Sequence, residues 1–200
     1  MSGLKGDIDG ISNHLASKQR RFDEAADLSR ALIRSAGLAI TLLHNGEVKK
    51  AEKELAKAGR LSAQLAKYTG EFEYHTKQAH QEYAEARIFY GIKQEKRIPS
   101  VREAGVDYEP YLMGMMDTVG ELKRELIGAL TNDDQKGARY YYDRMVEIFD
   151  STRSIRFAEA VLQGFRRKQD VARIQIESSA SEMLHTRQPS RTGTSHPKSD

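Results

Sequence analysis

Apolar residues recur along this chain at steps of three and four and almost nowhere at steps of two. From about Asp7 to His44 the positions Ile11, Leu15, Phe22, Leu32, Ala36, Ala39 and Leu43 keep that rhythm, and Asn45-Gly46 ends it; the pattern predicts one unusually long amphipathic helix. A second helix is predicted from about Glu47 to Tyr68, with Ala51, Leu55, Leu61 and Leu65 on one side and the basic stripe Lys49, Lys53, Lys57 and Arg60 on the other. A third is predicted from about Glu71 to Lys96, closed by Ile98-Pro99-Ser100. After a short linker, Pro110 suits the first turn of a fourth helix reaching about Leu130, with Leu112, Met115, Val119, Leu122 and Leu126 on its apolar face. Asn132-Asp133-Asp134 marks a turn into a fifth, to about Ser151. A sixth is predicted from about Ile155 to Leu184, carrying Phe157, Val161, Leu162, Phe165, Val171 and Ile174.

Composition agrees with an all-α fold of about six or seven helices, since Ala, Leu, Glu, Lys, Gln and Arg dominate and two of the four prolines, Pro189 and Pro197, fall near the C-terminus. Residues 1–186 are expected to form a single helical domain. Residues 187–200, RQPSRTGTSHPKSD, are expected to be a disordered tail. No apolar run approaches the roughly 20 residues a membrane-spanning helix needs, and the first residues have no signal-type apolar segment, so a cytoplasmic location without membrane attachment is expected. With no cysteine, thiolate nucleophiles and thiolate metal sites are excluded. A net charge of +3 permits a nucleic-acid partner without demanding one.

The candidate chemistry lies in two distant stretches, HQEYAEARIFY (His80 to Tyr90) and YLMGMMDTVGE (Tyr111 to Glu121). Glu82 with Glu85, and Asp117 with Glu121, are acidic pairs one helical turn apart. If the third and fourth helices are antiparallel neighbours, both pairs sit at similar depth, about 10 to 21 Å from the shared end at 1.5 Å per residue. Gly114 and Gly120 would let another backbone or a ligand approach closely. Two like charges about 4 Å apart repel by about 4 kcal/mol at an effective dielectric near 20, a cost that divalent cations remove. Oxygen-only ligation suits Mg²⁺ or Mn²⁺, and such an ion supports phosphodiester hydrolysis. On spacing alone, a solvated or salt-bridged face is the far commoner outcome.

QEYAEA at Gln81 to Ala86 and YLMGMMDTVGEL at Tyr111 to Leu122 resemble, in this order, the two acidic motifs of the translin family, in particular its translin-associated factor X branch and archaeal relatives. The resemblance implies an antiparallel multi-helix bundle of translin type, assembled into a hollow octameric shell that encloses RNA. It also implies a Mg²⁺-dependent endoribonuclease, with Glu82, Glu85 and Asp117 as catalytic acids and Glu121 as a further metal ligand. The linker between the motifs is shorter than in the eukaryotic factor, and a basic N-terminal extension is missing; a homo-oligomer is therefore expected rather than a subunit that needs a translin partner. A non-catalytic nucleic-acid-binding shell is the alternative.

Arg153, Arg156, Arg166 and Arg167, with Lys168 and Arg173 nearby, are candidates for phosphate contacts with RNA, a solvated helix face being the other reading. Tyr140, Tyr141 and Tyr142 suit core or interface packing better than base stacking. Glu182 and His185 form a lone Glu-x-x-His without the second copy that a carboxylate-bridged dimetal bundle uses. His80 stands beside the first acidic pair, in reach of tuning it.

Overall fold

The computed structural model describes residues 2–186, so the expectation for the 187–200 tail lies outside the described residues. The described residues form seven α-helices and no strand: α1 (Ser2–His44), α2 (Val48–Leu65), α3 (Glu73–Tyr90), α4 (Val101–Ala104), α5 (Tyr108–Thr131), α6 (Gln135–Thr152) and α7 (Phe165–Thr186). A 3-10 turn, Ala66–Tyr68, extends α2, and a π turn, Gly91–Glu95, extends α3. No helix is long and apolar enough to cross a membrane among the described residues.

The chain clusters into two compact units. The first comprises the described residues up to Thr118 together with Phe157–Phe165. In it α1 packs on both α2 and α3. Its core joins Ala25 and Leu32 of α1 to Ala58 and Leu65 of α2 and to Ala79 and Tyr83 of α3, flanked by Leu28, Ile33, Leu61 and Phe72. Small alanines at the contacts bring the helices close, and the larger leucines fill the space between them. The N-terminal part of α1 does not join this core. Leu4, Ile8, Ile11 and Leu15 are all more than half exposed, so Ile11 and Leu15 keep the predicted helical register but are not buried.

The second unit comprises Val119–Arg156 and the described residues from Arg166 on. Val119, Leu122 and Leu126 of α5, Met145 and Ile148 of α6, and Ala172 and Met183 of α7 are among its buried apolar residues. Asp134 caps α6, its carboxylate accepting from the Gly137 amide at 2.8 Å.

Three expectations change. Helix α4 occupies part of the expected linker, because Ser100 and Glu103 form a capping box and Gly105 closes the turn with φ of 69°. The expected sixth helix is interrupted: only Phe165–Thr186 is the final helix, and residues 153–164 form turns and irregular chain. Gly164 has φ of 77°, a left-handed conformation that a continuous helix cannot contain, and its amide donates to Glu159 Oε1 at 2.6 Å. Phe157 and Val161 are accordingly exposed. Finally, α5 is not antiparallel to α3 where they meet. Glu109 pairs with Lys77 at 2.6 Å and Gly114 lies against Gln81–Glu85, so the contacts climb both helices together.

Candidate functional site

The carboxylate-bearing stretches of α3 and α5 meet within the first unit, and Gly114 makes the meeting close. A Cβ on Gly114 would stand 2.5 Å from the Gln81 carbonyl oxygen, 2.8 Å from the Glu85 nitrogen and 2.9 Å from the Ala84 Cβ. Two of those atoms are backbone and cannot swing away, so only glycine fits. Just past this notch, Gln81 Nε2 donates to Asp117 Oδ2 at 2.7 Å. The expectation that Gly114 admits another backbone is met; a Cβ on Gly120 would instead meet the end of the flexible Gln175 side chain, at 3.4 Å.

Glu85 is only 8% exposed, while Glu82 and Asp117 are half-buried. A carboxylate as buried as Glu85 is stable only with compensation from its surroundings. Glu121 lies one turn beyond Asp117 on α5, in the second unit. Glu82, Glu85 and Asp117 offer hard oxygen donors, a set that suits Mg²⁺ or Mn²⁺ in kind. In the arrangement described, however, no group of three or more His, Cys, Asp or Glu side chains is gathered for a metal ion among the described residues.

His80 is buried against α2 instead of facing the acids, with Nε2 donating to the Ser62 carbonyl at 3.2 Å. Burial holds its pKa below the usual histidine value, opposed by that hydrogen bond and by the charge of Asp107.

The second unit contains a cavity of about 460 Å³ with a cationic lining. Arg153 and Arg156 reach it from just past α6, and Arg166 and Arg173 from α7; Phe149, Gln169 and Asp170 complete the wall. Three of the four arginines predicted to touch RNA are thus brought together, and Arg167 is not among the lining residues. Phe149 and Gln169 were not singled out from the sequence. Gln169 shares the 166, 170, 173 face of α7, so helical spacing from the arginines is the signal that would have found it.

The other candidates have packing roles. Tyr140 and Tyr141 are half-buried, their rings meeting edge to face at 5.3 Å, and burial together with Glu125 pushes the Tyr141 hydroxyl pKa well up. Glu182 pairs with Lys123 at 3.5 Å, and His185 Nδ1 lies 2.7 Å from the Ser181 carbonyl.

No family model matches the chain. An uncharacterized protein of Methanocaldococcus jannaschii is 28% identical over 184 residues, spanning 89% of this chain and 82% of that protein. AfC3PO, solved in complex with duplex RNA, is 26% identical with a TM-score of 0.81, over 90% of this chain and 96% of that one. A crystal structure of AfC3PO gives 27% identity and the same TM-score over the same shares. Apo-NeC3PO, at 22% identity and a TM-score of 0.83, shares the fold over 90% of this chain and 96% of its own. These likenesses agree with the resemblance carried by the two motifs: the described residues share the all-helical fold of the C3PO structures.

Proposed function

We propose that the protein is a Mg²⁺-dependent endoribonuclease, Mn²⁺ being an alternative ion, and that it cleaves RNA phosphodiester bonds within an oligomeric shell of its own copies. One observation carries the reading: the Gly114 notch and the Gln81–Asp117 hydrogen bond join the two acidic motifs that resemble those of translin-associated factor X. The likeness to AfC3PO, solved with duplex RNA, supports RNA as the partner. The exposed stripe Leu4, Ile8, Ile11 and Leu15 on α1 supports an assembly that covers it, with an octamer as the proposed size.

In this reading Glu82, Glu85 and Asp117 hold the ion, and Glu121, one turn further along α5, is a further ligand. Bound there, the ion supplies an activated water and neutralises charge on the scissile phosphate. Gln81 orients Asp117 through its amide, and the burial of Glu85 limits water around that carboxylate. Arg153, Arg156, Arg166 and Arg167 contact RNA phosphates without reading base sequence. The test is cleavage of a labelled RNA by Glu82→Ala, Glu85→Ala and Asp117→Asn, alongside circular dichroism and sizing. Lost cleavage in folded, assembled variants is the expected result; full cleavage in all three overturns it.

A non-catalytic RNA-binding shell is the second reading, favoured by one observation: Asp117 already accepts a 2.7 Å hydrogen bond from Gln81 and is not grouped with two other acids. It predicts RNA binding without Mg²⁺-dependent turnover.

A further inference from the structure

The arginine cavity of the second unit has features that general contact with an RNA backbone does not require. Its four guanidinium groups are not equivalent. Arg173 lies 3.1 Å from Glu177 and 3.9 Å from Asp170, and Arg153 lies 4.0 Å from Asp150, so each has a carboxylate to balance it. Arg156 is held by neutral acceptors, donating through Nη1 to the Ile155 carbonyl at 2.9 Å and to Gln169 Oε1 at 3.0 Å. Gln169, 7% exposed, is itself fixed, with Nε2 donating to the Thr152 carbonyl at 2.8 Å. Arg166 makes no ion pair among the described residues and stands in the first turn of α7, where the backbone amides also favour an anion.

Asp170 in the wall pairs with Arg173, whereas Arg156 and Arg166 face the cavity without an ion pair among the described residues, and two such charges match a phosphate monoester, which carries close to two negative charges at neutral pH. An internal phosphodiester carries one. Inorganic phosphate alone would leave most of the 460 Å³ empty, whereas a volume above about 300 Å³ is the range of small-ligand sites. The half-buried ring of Phe149 gives the remaining space an apolar wall against which a nucleobase can lie.

We propose that this cavity is a nucleotide site for a 5′-phosphate monoester, with Arg156 and Arg166 on the phosphate, Gln169 holding Arg156 in place, and Phe149 beside the base. The ligand is either a free nucleoside monophosphate or the 5′-phosphorylated end of an RNA strand. The proposal deepens the RNA reading and rests on it only for the second source, because free nucleotide binding is measured without RNA or cleavage.

The test is calorimetric titration of the full chain with AMP, adenosine and inorganic phosphate, and then with one RNA bearing a 5′-phosphate or a 5′-hydroxyl. AMP binds and adenosine does not, and Arg166→Gln weakens AMP at least ~10-fold, the worth of one charge-assisted hydrogen bond, while Arg166→Lys retains part of the affinity. Preference for the 5′-phosphate RNA, lost in Arg166→Gln, assigns the site to the RNA end. AMP binding with no such preference assigns it to free nucleotide. Equal or absent binding of AMP and adenosine, with no 5′-phosphate preference, overturns the proposal. AMP binding by a protein that binds no RNA instead overturns the RNA reading and leaves the cavity assignment standing.

Discussion

Gln81 Nε2 donates to Asp117 Oδ2 across 2.7 Å, tying the acidic motif of α3 to that of α5 although 36 positions separate them in the chain. The amide fixes which way one carboxylate oxygen points. Gln81→Met keeps the length of the side chain and removes the donor. Chemical denaturation is expected to show a loss of about 1 kcal/mol, the usual net worth of such a bond. If the proposed site is right, cleavage should fall less in this variant than in Asp117→Asn, because Gln81 would position a ligand without being one. Equal losses in the two variants would contradict that division.

The Gly114 notch makes the contact possible. In Gly114→Ala the new methyl meets backbone atoms of Gln81 and Glu85, so helices α3 and α5 must move apart. Destabilisation of about 1–3 kcal/mol is expected, in the range of overpacked core sites. The same substitution at Gly128, where nothing lies within 4 Å of the added carbon, should be neutral or stabilising. Denaturation midpoints of the two variants make the comparison.

His80 gives the first unit a pH dependence. Burial lowers its folded-state pKa below the ordinary 6.5, so above about that pH both folded and unfolded chains carry it neutral and its contribution is complete. As pH falls below 6.5 the unfolded chain takes up the proton first, and stability is lost until the pH passes the folded-state pKa. His80→Gln, which keeps a donor for the Ser62 carbonyl, is expected to flatten this slope in melts between pH 7 and pH 5. An unchanged slope would show that another group titrates there.

Much of this architecture was legible in the chain, for identifiable reasons. Helices α1, α2, α5 and α6 follow long apolar periods bounded by Asn45-Gly46, Thr69-Gly70, Pro110 and Asn132-Asp133-Asp134, and local chemistry of that kind decides where helices start and stop. Helix α4 was missed although Ser100 and Glu103 have capping-box spacing, because the box precedes no long apolar run. The break before α7 was missed because Phe157, Val161 and Leu162 have helical spacing, while Gly164 adopts a left-handed φ that periodicity does not reveal. The direction of α5 against α3 depends on the path of residues 91–107, a tertiary property. At the candidate site, the close approach at Gly114 was readable, but the role of Gln81 needed the two helices side by side. The arginines were readable as a basic face; their closure around a cavity needed the fold of the second unit.

Salt dependence separates the basic cavity from general surface charge. RNA affinity should fall steeply with salt, because each phosphate contact releases counterions. Arg156→Gln or Arg166→Gln should each reduce the slope of log affinity against log salt by about 1. Arg139→Gln, whose guanidinium already pairs with Asp143 at 2.8 Å outside the cavity, should leave the slope unchanged. Filter-binding titrations across a salt series measure all three.

Cleavage of a labelled short RNA by the purified wild-type protein, first with EDTA and then with Mg²⁺ restored, tests the central claim most directly. No cleavage in EDTA, and cleavage on restoring Mg²⁺ that yields fragments with 5′-phosphate ends, is the result the carboxylate site predicts. RNA that is bound but stays intact at saturating Mg²⁺ and Mn²⁺ would contradict it and leave a shell that holds RNA without cutting it.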